Sequence, residues 1–530
     1  MKKLIPLFLA TMLLVTSCGS TQPSEGSPQP TGEVKQNEPG VKEKKELDVM
    51  LWYRDMADFQ NMEFYKELEA QTGIHANLTA VSGADWSTKT NLMFTSGEYP
   101  DIILRGGVDI EMYGVDQKIL LPMDDYIEQH MPVYKALLDY EPGTADLLRA
   151  SDGKMYRLGW RLPQNINVNA HLFVNKLWLD NLGLGIPTTL KEYEDMLIAF
   201  KDRDPNKNGE KDEIPFTGTL ESSVDATLYL LSFWGIPYNS NWIMINNDNQ
   251  VTSQLLSENM REALETLNKW YSTGLMDVEC VAQDTASFEP KVNAASAGSF
   301  WRWRMKAMST EPDVVAQYQG IVPVAAEGLT AQLPEYLELP SFGAALTIGC
   351  EDIETACAWL DAQFEFENQM NGYYGKYKEE TVNNVVTQYG WRYNDQGKVE
   401  FFTADLEEVP NQSALHFFSG TEYFEKVIMP EQRIEKTELC KLYTEAGVVE
   451  KYSSSILTSL CKFTLEEIGQ RDLLQAEIKK YAQEAIVGFI TKGVTDAGWE
   501  AYIKTLDNLK INDYIRLYQE VYDRYQESVK

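Results

Sequence analysis

Residues 47–53 read Leu-Asp-Val-Met-Leu-Trp-Tyr, and this apolar run opens an alternation of strand and helix patterns that extends to residue 104. The run predicts a buried β-strand. Apolar residues at a spacing of three then mark one face of a helix, namely Phe59, Met62, Tyr65 and Leu68. Gly73 is expected to end that helix, because glycine adopts the left-handed conformation that closes a helix.

The same alternation continues with a strand at 76–81, a helix at 86–95 and a strand at 101–104. An order of β-α-β-α-β predicts a mostly parallel sheet that is covered by helices. The last part of the chain instead carries three helical stripes, at 474–489, 499–509 and 514–525. The sequence therefore predicts an α/β protein with a helical C-terminus.

The length and charge of the chain restrict its organisation and its partners. The 530 residues exceed one ordinary domain and suggest three to four domains or two large lobes. With 80 acidic and 47 basic residues the formal net charge is −33, which argues against a nucleic-acid-binding surface and against adhesion to anionic lipid. A hydrophobic content of 44% supplies a core and excludes disorder of the whole chain.

The N-terminus predicts export. Two lysines precede a largely apolar run at 4–15, which is shorter than the roughly 20 residues of a membrane span but suits a signal peptide of residues 1–17. The sequence Val-Thr-Ser-Cys at 15–18 resembles a bacterial lipobox, which predicts cleavage before Cys18 and lipidation of its thiol. The alternative is an ordinary secretory signal followed by an incidental cysteine.

The next segment predicts a tether. Residues 19–46 contain four prolines and four glycines and only two large apolar residues, so they cannot bury a face. We expect residues 18–46 to form a disordered, lipid-anchored tether and residues 47–530 to form the body. This arrangement predicts a protein on the extracellular face of a bacterial cell membrane.

Residues 204–213 carry the chain's clearest metal-binding pattern. Oxygen-bearing side chains stand at positions one, three, five, nine and ten of this segment, and Gly209 at position six permits a sharp turn. Calcium prefers six to eight oxygen ligands, and the pattern predicts a structural calcium site. The expected ligands are Asp204, Asn206, Asn208, Glu210 through its carbonyl, Asp212 and Glu213. The alternative is a solvated turn, because Asp, Asn and Gly are common in turns.

The sequence lacks the common catalytic motifs. It contains no phosphate-binding loop, no dinucleotide-binding glycine motif, no H-E-x-x-H and no G-x-S-x-G. A pair of carboxylates for glycoside hydrolysis cannot be chosen by spacing among 80 acidic residues. We therefore predict a protein that is not an enzyme, with a surface-anchored glycan hydrolase as a minor alternative.

Aromatic residues predict a binding surface. Several stand where strands end, and the segments Trp-Arg-Trp-Arg at 301–304 and Tyr-Gly-Trp-Arg at 389–392 place flat rings beside forked donors, which suits sugars. Many tryptophans are instead core residues, so each assignment competes with burial. The candidate ligand-binding residues are Trp52, Trp86, Trp160, Trp234, Trp301, Arg302, Trp303, Tyr389 and Trp391.

Several segments in a fixed order resemble the family 1 extracellular solute-binding lipoproteins of ABC importers. Within that family they are similar to the oligosaccharide-associated branch that includes calcium-containing alginate-oligosaccharide binders. The segments are Glu-Ala-Gln-Thr-Gly-Ile at 69–74, Ser-Gly-Glu-Tyr-Pro-Asp-Ile at 96–102, Asp-Gly-Lys-Met-Tyr at 152–156, Trp-Leu-Asp-Asn-Leu-Gly at 178–183, the loop at 204–216, and Trp-Glu-Ala-Tyr at 499–502.

This resemblance implies a periplasmic-binding-protein-like fold of type II, with two α/β lobes hinged around a cleft. Each lobe would contain a mixed, mostly parallel sheet. The expected boundaries are 47–155 plus 325–385 for lobe 1 and 156–324 plus 386–530 for lobe 2. The resemblance also implies calcium ligands at the loop residues named above. One departure is Val-Asn-Lys at 174–176, where relatives often carry Arg-Lys-Asp.

The family resemblance implies a monomer that binds an oligosaccharide in the cleft and delivers it to ABC permease subunits. Two alternatives keep the fold and change the role. The cleft could hold a peptide or another polar solute, or the protein could act as a sensor, because a fold does not fix a function.

Overall fold

The computed structural model describes residues 45–53, 58–140, 143–159, 168–220, 224, 226–305, 309, 311–335, 342–382, 385–402, 426–428 and 431–528. The predicted signal peptide, Cys18 and most of the predicted tether lie outside these ranges. Lys45 and Glu46 are a correction to the predicted tether. They begin the first strand and pair with Ile74 and His75.

The strands are numbered β1 to β13 in chain order. They are Lys45–Tyr53, Ile74–Ser82, Ile102–Leu104, His171–Asn175, Ile214–Phe216, Met244–Ile245, Val251–Thr252, Ala297–Arg302, Tyr318–Ile321, Ala344–Leu346, Lys378–Val382, Val385–Tyr393 and Val399–Phe402.

The α-helices are numbered α1 to α17. They are Glu63–Thr72, Trp86–Ser96, Asp124–His130, Pro132–Tyr140, Thr144–Leu148, Lys176–Leu182, Leu190–Asp202, Met260–Ser272, Thr285–Asn293, Pro312–Val315, Ile353–Ala362, Phe366–Tyr374, Glu431–Glu445, Ser455–Ser459, Leu465–Lys492, Asp496–Asn508 and Ile511–Ser528. Short 3₁₀-helices occupy Phe59–Asn61, Thr227–Trp234 and Gln254–Leu256, and a π-helix occupies Glu111–Asp116. None of the described helices is long and apolar enough to cross a membrane.

The opening alternation is confirmed, with one difference at its first helix. A 3₁₀ turn begins at Phe59, and α1 begins only at Glu63, because Met62 between them is extended at φ −59° and ψ 140°. Gly73 ends α1 as predicted. It has φ 72°, and its N–H donates to the carbonyl of Glu69.

The first sheet has the strand order β10-β3-β1-β2. β1 is parallel to both β2 and β3, and β10 is antiparallel to β3. Both faces of β1 are buried: Val49 and Leu51 enter one hydrophobic cluster with Trp359, whereas Met50 enters another with Trp86. Burial of both faces is typical of a sheet with parallel strands that is covered by helices.

The second sheet has the strand order β5-β8-β4-β9. β5 is parallel to β8, whereas β4 is antiparallel to both β8 and β9. The expected predominance of parallel strands therefore holds, among the described strands, for the first sheet only. Leu172 and Val174 of β4 face the largest hydrophobic cluster, and Phe173 faces a smaller one with Phe300.

The predicted helical C-terminus is confirmed by α15, α16 and α17. Their stripes supply Ile486, Tyr502 and Tyr514 to the largest cluster, beside the second sheet. Thr464 begins α15 with a capping box, in which its hydroxyl accepts from the N–H of Glu467 and the Glu467 carboxylate accepts from the N–H of Thr464.

The chain passes between the two sheets more than once. Buried residues of 326–333 pack in the largest cluster, with the second sheet. Strands β11 to β13 form a third sheet. Trp391 of β12, Val399 of β13 and Val427 pack in the hydrophobic cluster of the first sheet. The two lobes are therefore discontinuous in sequence, and their residue boundaries stay a prediction.

Candidate functional site

The chain passes from the first sheet towards the second sheet at one edge of the first sheet. Leu158 bridges to Ala344 of β10, and Ala344 pairs with Leu104 at the end of β3. Gly159 therefore leaves at the edge formed by the carboxyl ends of the parallel strands. In open α/β sheets, ligands bind outside that edge.

The Tyr134 hydroxyl fixes the backbone at this exit. It donates a hydrogen bond to the carbonyl of Gly159 at 2.5 Å and accepts one from the N–H of Gly159 at 3.0 Å. Tyr134 is 0% exposed, and burial raises the pKa of its hydroxyl, which stays protonated. The exit of the chain from the first sheet is thereby held by one buried side chain.

Trp52 and Arg105 lie together at this edge. The guanidinium carbon of Arg105 stands 5.9 Å from the centroid of the half-buried Trp52 ring. Arg105 has a positive φ of 67°, and its N–H donates to the carbonyl of Gly343 at 2.7 Å. A non-glycine residue in this conformation is uncommon and is often found at functional sites.

Trp86 packs beneath the same edge. It is 8% exposed, and its indole N–H donates to the carbonyl of Gly107 at 2.9 Å. A Cβ atom on Gly106 would stand 1.9 Å from the Trp86 ring, so only glycine fits there. Trp86 is therefore a support for the turn after β3 and exposes little of its ring.

The edge of the second sheet at the carboxyl end of β8 carries Trp303. The chain enters β4 at His171, which pairs with Arg302 at the carboxyl end of β8, and Trp303 follows at once. Trp303 is half-buried, with the Arg304 guanidinium 4.3 Å and the Lys436 ammonium 5.3 Å from its ring centroid. This is the second place where a tryptophan and cations meet at a sheet edge.

His171 is a neutral support for this edge. Burial, with the nearby Lys436 charge, lowers the pKa of His171 to about 3. Its Nδ1 lies 2.9 Å from the carbonyl oxygen of Trp303, to which the neutral ring donates. Lys436 also donates to the side-chain oxygen of Asn169 at 3.2 Å. These contacts fix the backbone of Trp303.

A polar network supports the end of β5 at the same edge. The Gln283 amide donates to the carbonyl of Gly218 at 2.6 Å and to the hydroxyl of Thr217 at 2.9 Å. Asp277 accepts from Thr217 at 2.7 Å and from Lys291 at 2.6 Å. The Lys291 ammonium and further hydrogen bonds outweigh burial and hold the pKa of Asp277 below its usual range.

Several candidate ligand-binding residues are buried or paired with other residues. Trp234 and Trp301 are both 0% exposed and lie in the largest hydrophobic cluster, so neither ring faces solvent in this conformation. Arg302 is 9% exposed and forms an ion pair with Glu289 at 2.9 Å. Trp160 lies outside the described residues.

Tyr389 and Trp391 lie on β12, which is the central strand of the third sheet. Trp391 is 7% exposed, packs in the cluster of the first sheet, and donates from its indole to Asn371 at 3.0 Å. Tyr389 is half-buried beneath the ammonium of Lys378 at 5.1 Å. Their role as ligand contacts stays a prediction.

The loop at 204–213 has the turn geometry that its sequence predicts. Asp204 and Gly209 have positive φ values of 49° and 82°. The Asp204 carboxylate accepts from the N–H groups of Asn208 at 3.1 Å and Gly209 at 3.2 Å, and the Asp212 carboxylate accepts from the Asn206 and Asn208 amides at 3.1 Å. The predicted oxygen ligands are thus gathered around one turn.

Glu213, at the end of this loop, has one carboxylate oxygen without a hydrogen-bond partner among the described residues. This oxygen, Oε1, is buried. Burial, together with the charges of Asp212 and Asp204, raises the pKa of Glu213. A buried acceptor beside two other carboxylates fits a cation. In the described part of the chain, however, no group of three or more His, Cys, Asp or Glu side chains is arranged to hold a metal ion. The backbone N–H of Glu210 donates a hydrogen bond to the side-chain oxygen of Asn208 at 2.7 Å.

Comparison with known families identifies the chain. The family model for bacterial extracellular solute-binding proteins matches residues 55–370, which is more than half of the sequence. The chain belongs to this family.

One curated relative matches over almost its whole length. The fructooligosaccharide ABC transporter substrate-binding protein FusA of Streptococcus pneumoniae serotype 4 is 26% identical over 545 residues, which cover 98% of this chain and 97% of FusA. Lipoprotein LipO of Bacillus subtilis is 26% identical over 240 residues, which cover 44% of this chain and 45% of LipO.

Solved structures share the fold. FusA of S. pneumoniae in complex with kestose has a TM-score of 0.78 at 23% identity, with 91% of this chain and 100% of that chain covered. The alginate-binding protein AlgQ2 without calcium ion has a TM-score of 0.67 at 18% identity, with 91% and 99% covered. The predicted two-lobe α/β fold of a solute-binding protein is confirmed.

Sequence reasoning missed several residues of these edges. Arg105, Tyr134 and Lys436 carry no local motif, and each reaches its partner only through the fold. Gly106 stands two residues after the predicted strand at 101–104, and a glycine so close to the end of a strand was the available signal.

Proposed function

We propose that this solute-binding protein captures an oligosaccharide between the facing edges of its two sheets and delivers it to the permease of an ABC transporter. The observation that carries the proposal is the pairing of a half-buried tryptophan with cations at both edges, Trp52 with Arg105 and Trp303 with Arg304 and Lys436. The described segments on either side of residues 160–167 end at these same edges.

This combination suits the chemistry of sugars. The C–H face of a sugar ring packs on an aromatic ring, while its hydroxyl groups need polar partners in fixed positions. Arginine supplies several donors in a planar fork. Support also comes from FusA, which is a fructooligosaccharide-binding protein, although substrate identity does not transfer at this level of similarity.

The test is a glycan array followed by titration calorimetry of the protein without residues 1–17. We expect one glycan class to bind, and Trp52→Ala and Trp303→Ala each to weaken that binding about tenfold or more. Trp499→Ala is the matched control, because Trp499 is also half-buried but packs on Tyr502 in the C-terminal helices. If a peptide binds and no glycan does, the oligosaccharide assignment is wrong.

We further propose that the loop at 204–213 binds one structural calcium ion through Asp204, Asn206, Asn208, Glu210, Asp212 and Glu213. The buried, unpaired Oε1 of Glu213 and its raised pKa support this assignment. The solved structures of an EF-hand mutant of FusA and of AlgQ2 without calcium ion point to calcium sites in proteins of the same fold. The loop joins α7 to β5, so the ion would stabilise the second sheet.

Metal analysis should find about one calcium per chain, and EDTA should lower the melting temperature, because a ligand that binds only the folded state stabilises it. Glu213→Gln should abolish the response to EDTA. Glu484→Gln removes an exposed carboxylate from α15 and should leave the response intact. A melting temperature that is the same with and without EDTA, in wild-type protein reloaded with calcium, would refute the site.

The cellular arrangement follows from the same proposal. The protein would be anchored through a lipid on Cys18 at the extracellular face of the cell membrane and would act as a monomer without catalysis. Metabolic labelling with a palmitate analogue should mark the wild type and leave Cys18→Ser unlabelled. Release of the wild type into the medium without label would instead indicate an ordinary secretory signal.

A further inference from the structure

Arg157 is a cation without an acidic partner at the exit from the first sheet. It directly precedes Leu158, which bridges to Ala344. Its Nε is buried and has no hydrogen-bond partner, and Arg157 forms no ion pair within the described part of the chain. Burial lowers its pKa, and the Tyr134 hydroxyl opposes this shift.

Lys462 is a second cation of this kind, and it comes from the other side of the junction. Cys461 and Phe463 on either side of it pack in the largest cluster, with the second sheet. Its ammonium nevertheless reaches α5 beside the first sheet, where it donates to the carbonyl of Leu147 at 3.2 Å. Lys462 has no carboxylate within ion-pair distance among the described residues.

The two cations act on each other. Burial and the charge of Arg157 lower the pKa of Lys462 to about 8, although the charges of Glu111 and Asp146 oppose this effect. Glu111 is already engaged, since its two oxygens accept from the N–H of Ser151 at 2.8 Å and the hydroxyl of Ser151 at 2.6 Å. Arg157 and Lys462 therefore repel each other at the junction, and neither forms an ion pair among the described residues.

We propose that Arg157 and Lys462 form a binding site for one oxyanionic group, such as a carboxylate, sulfate or phosphate, at the junction of the two sheets. The group belongs either to an acidic sugar of the ligand or to a free anion. The first source rests on the proposed function, and the second does not. A guanidinium and an ammonium are the side chains that bind such groups with charge-assisted hydrogen bonds.

The site has a supporting layer. Arg524 donates to the carbonyl of Lys462 at 3.0 Å and binds the Glu467 carboxylate through two hydrogen bonds, at 2.9 Å and 2.8 Å. The backbone of Lys462 is therefore fixed at the start of α15. Because Arg157 lies beside the first sheet and Lys462 beside the largest cluster, a bound oxyanion would link residues of the two lobes.

The experiment uses calorimetry with pairs of probes. Uronic-acid trisaccharides are each compared with their methyl esters, which keep the sugar ring and remove the charge, and sodium sulfate is titrated alone. We expect one acid to bind more tightly than its ester, and Arg157→Gln and Lys462→Gln each to weaken the acid about tenfold to a hundredfold while leaving the ester unchanged. Lys504→Gln removes an exposed cation of α16 and is the control for net charge.

The outcomes separate the two proposals. If sulfate binds the wild type and fails to bind Arg157→Gln while no glycan binds, the oxyanion site holds with a free anion as its ligand, and the oligosaccharide assignment fails. If a glycan binds but acid and ester bind equally, sulfate does not bind, and both variants match the wild type, the oxyanion site is refuted and the oligosaccharide assignment stands. Arg157→Lys keeps a cation at the junction and should retain part of the preference for the acid if the site is real.

Discussion

Removal of the Tyr134 hydroxyl should destabilise the first lobe. Tyr134→Phe leaves the ring in place and deletes the one group that bonds both the N–H and the carbonyl of Gly159, at 3.0 Å and 2.5 Å. Gly159 is buried, so water cannot replace these bonds at no cost. A buried polar group left unpaired costs about 1–3 kcal/mol, and the two groups together predict a loss of about 2–4 kcal/mol in the free energy of unfolding.

Tyr65→Phe is the matched control for this experiment. Tyr65 is 6% exposed and packs in the same hydrophobic cluster, but its hydroxyl has no hydrogen-bond partner among the described residues. Its deletion should change the free energy of unfolding by no more than about 0.5 kcal/mol.

The assay is urea unfolding of both variants and the wild type, followed by circular dichroism and analysed by linear extrapolation. Equal losses in the two variants would mean that the phenol oxygen itself, and not its bonds to Gly159, determines the effect. A loss below about 1 kcal/mol in Tyr134→Phe would show that Gly159 finds other partners, and it would refute the anchoring of the chain at this exit.

Two further predictions concern single positions. Gly106→Ala should lower both the melting temperature and the affinity for ligand, because the new Cβ would stand 1.9 Å from the Trp86 ring. Gly107→Ala is the control: its Cβ would meet nothing within 4 Å, and the variant should match the wild type in thermal unfolding and calorimetry. Glu450 is 7% exposed, and burial raises its pKa from 4.5 to about 7. The contribution of Glu450 to the free energy of unfolding is therefore complete below pH 4.5 and is lost as the pH rises to 7. Between these pH values the free energy of unfolding of Glu450→Gln, measured with urea, should rise relative to that of the wild type by up to about 3 kcal/mol. A difference that stays constant with pH would contradict the raised pKa.

Local patterns were sufficient for the secondary structure that short-range rules control. The run at 47–53 is a strand, Gly73 ends α1, and the C-terminal stripes are helices. The turn at 204–213 could also be predicted from the sequence, because the oxygen-bearing side chains and the glycine that form it lie within ten residues of each other.

The sequence did not distinguish core tryptophans from surface tryptophans. Trp301 and Trp303 are two residues apart on one strand pattern, yet Trp301 is fully buried and Trp303 is half-buried with cations at its ring. The strand β8 ends at Arg302, so Trp303 lies beyond it, and its exposure depends on the distant segments that pack around the strand end. Lys462 and Leu147 likewise meet only through tertiary structure.

The pairing of β3 with β10 has a consequence for the order of folding. Residues 102–104 pair with β1 on one side and find their second partner only at residues 344–346, so the first sheet cannot be completed while the chain is shorter than that. Until then β3 presents unpaired backbone groups of the kind that recruit other chains. A nascent chain of this protein is thus most exposed to aggregation between the synthesis of its third and tenth strands, and truncations that end near residue 335 should accumulate as insoluble material.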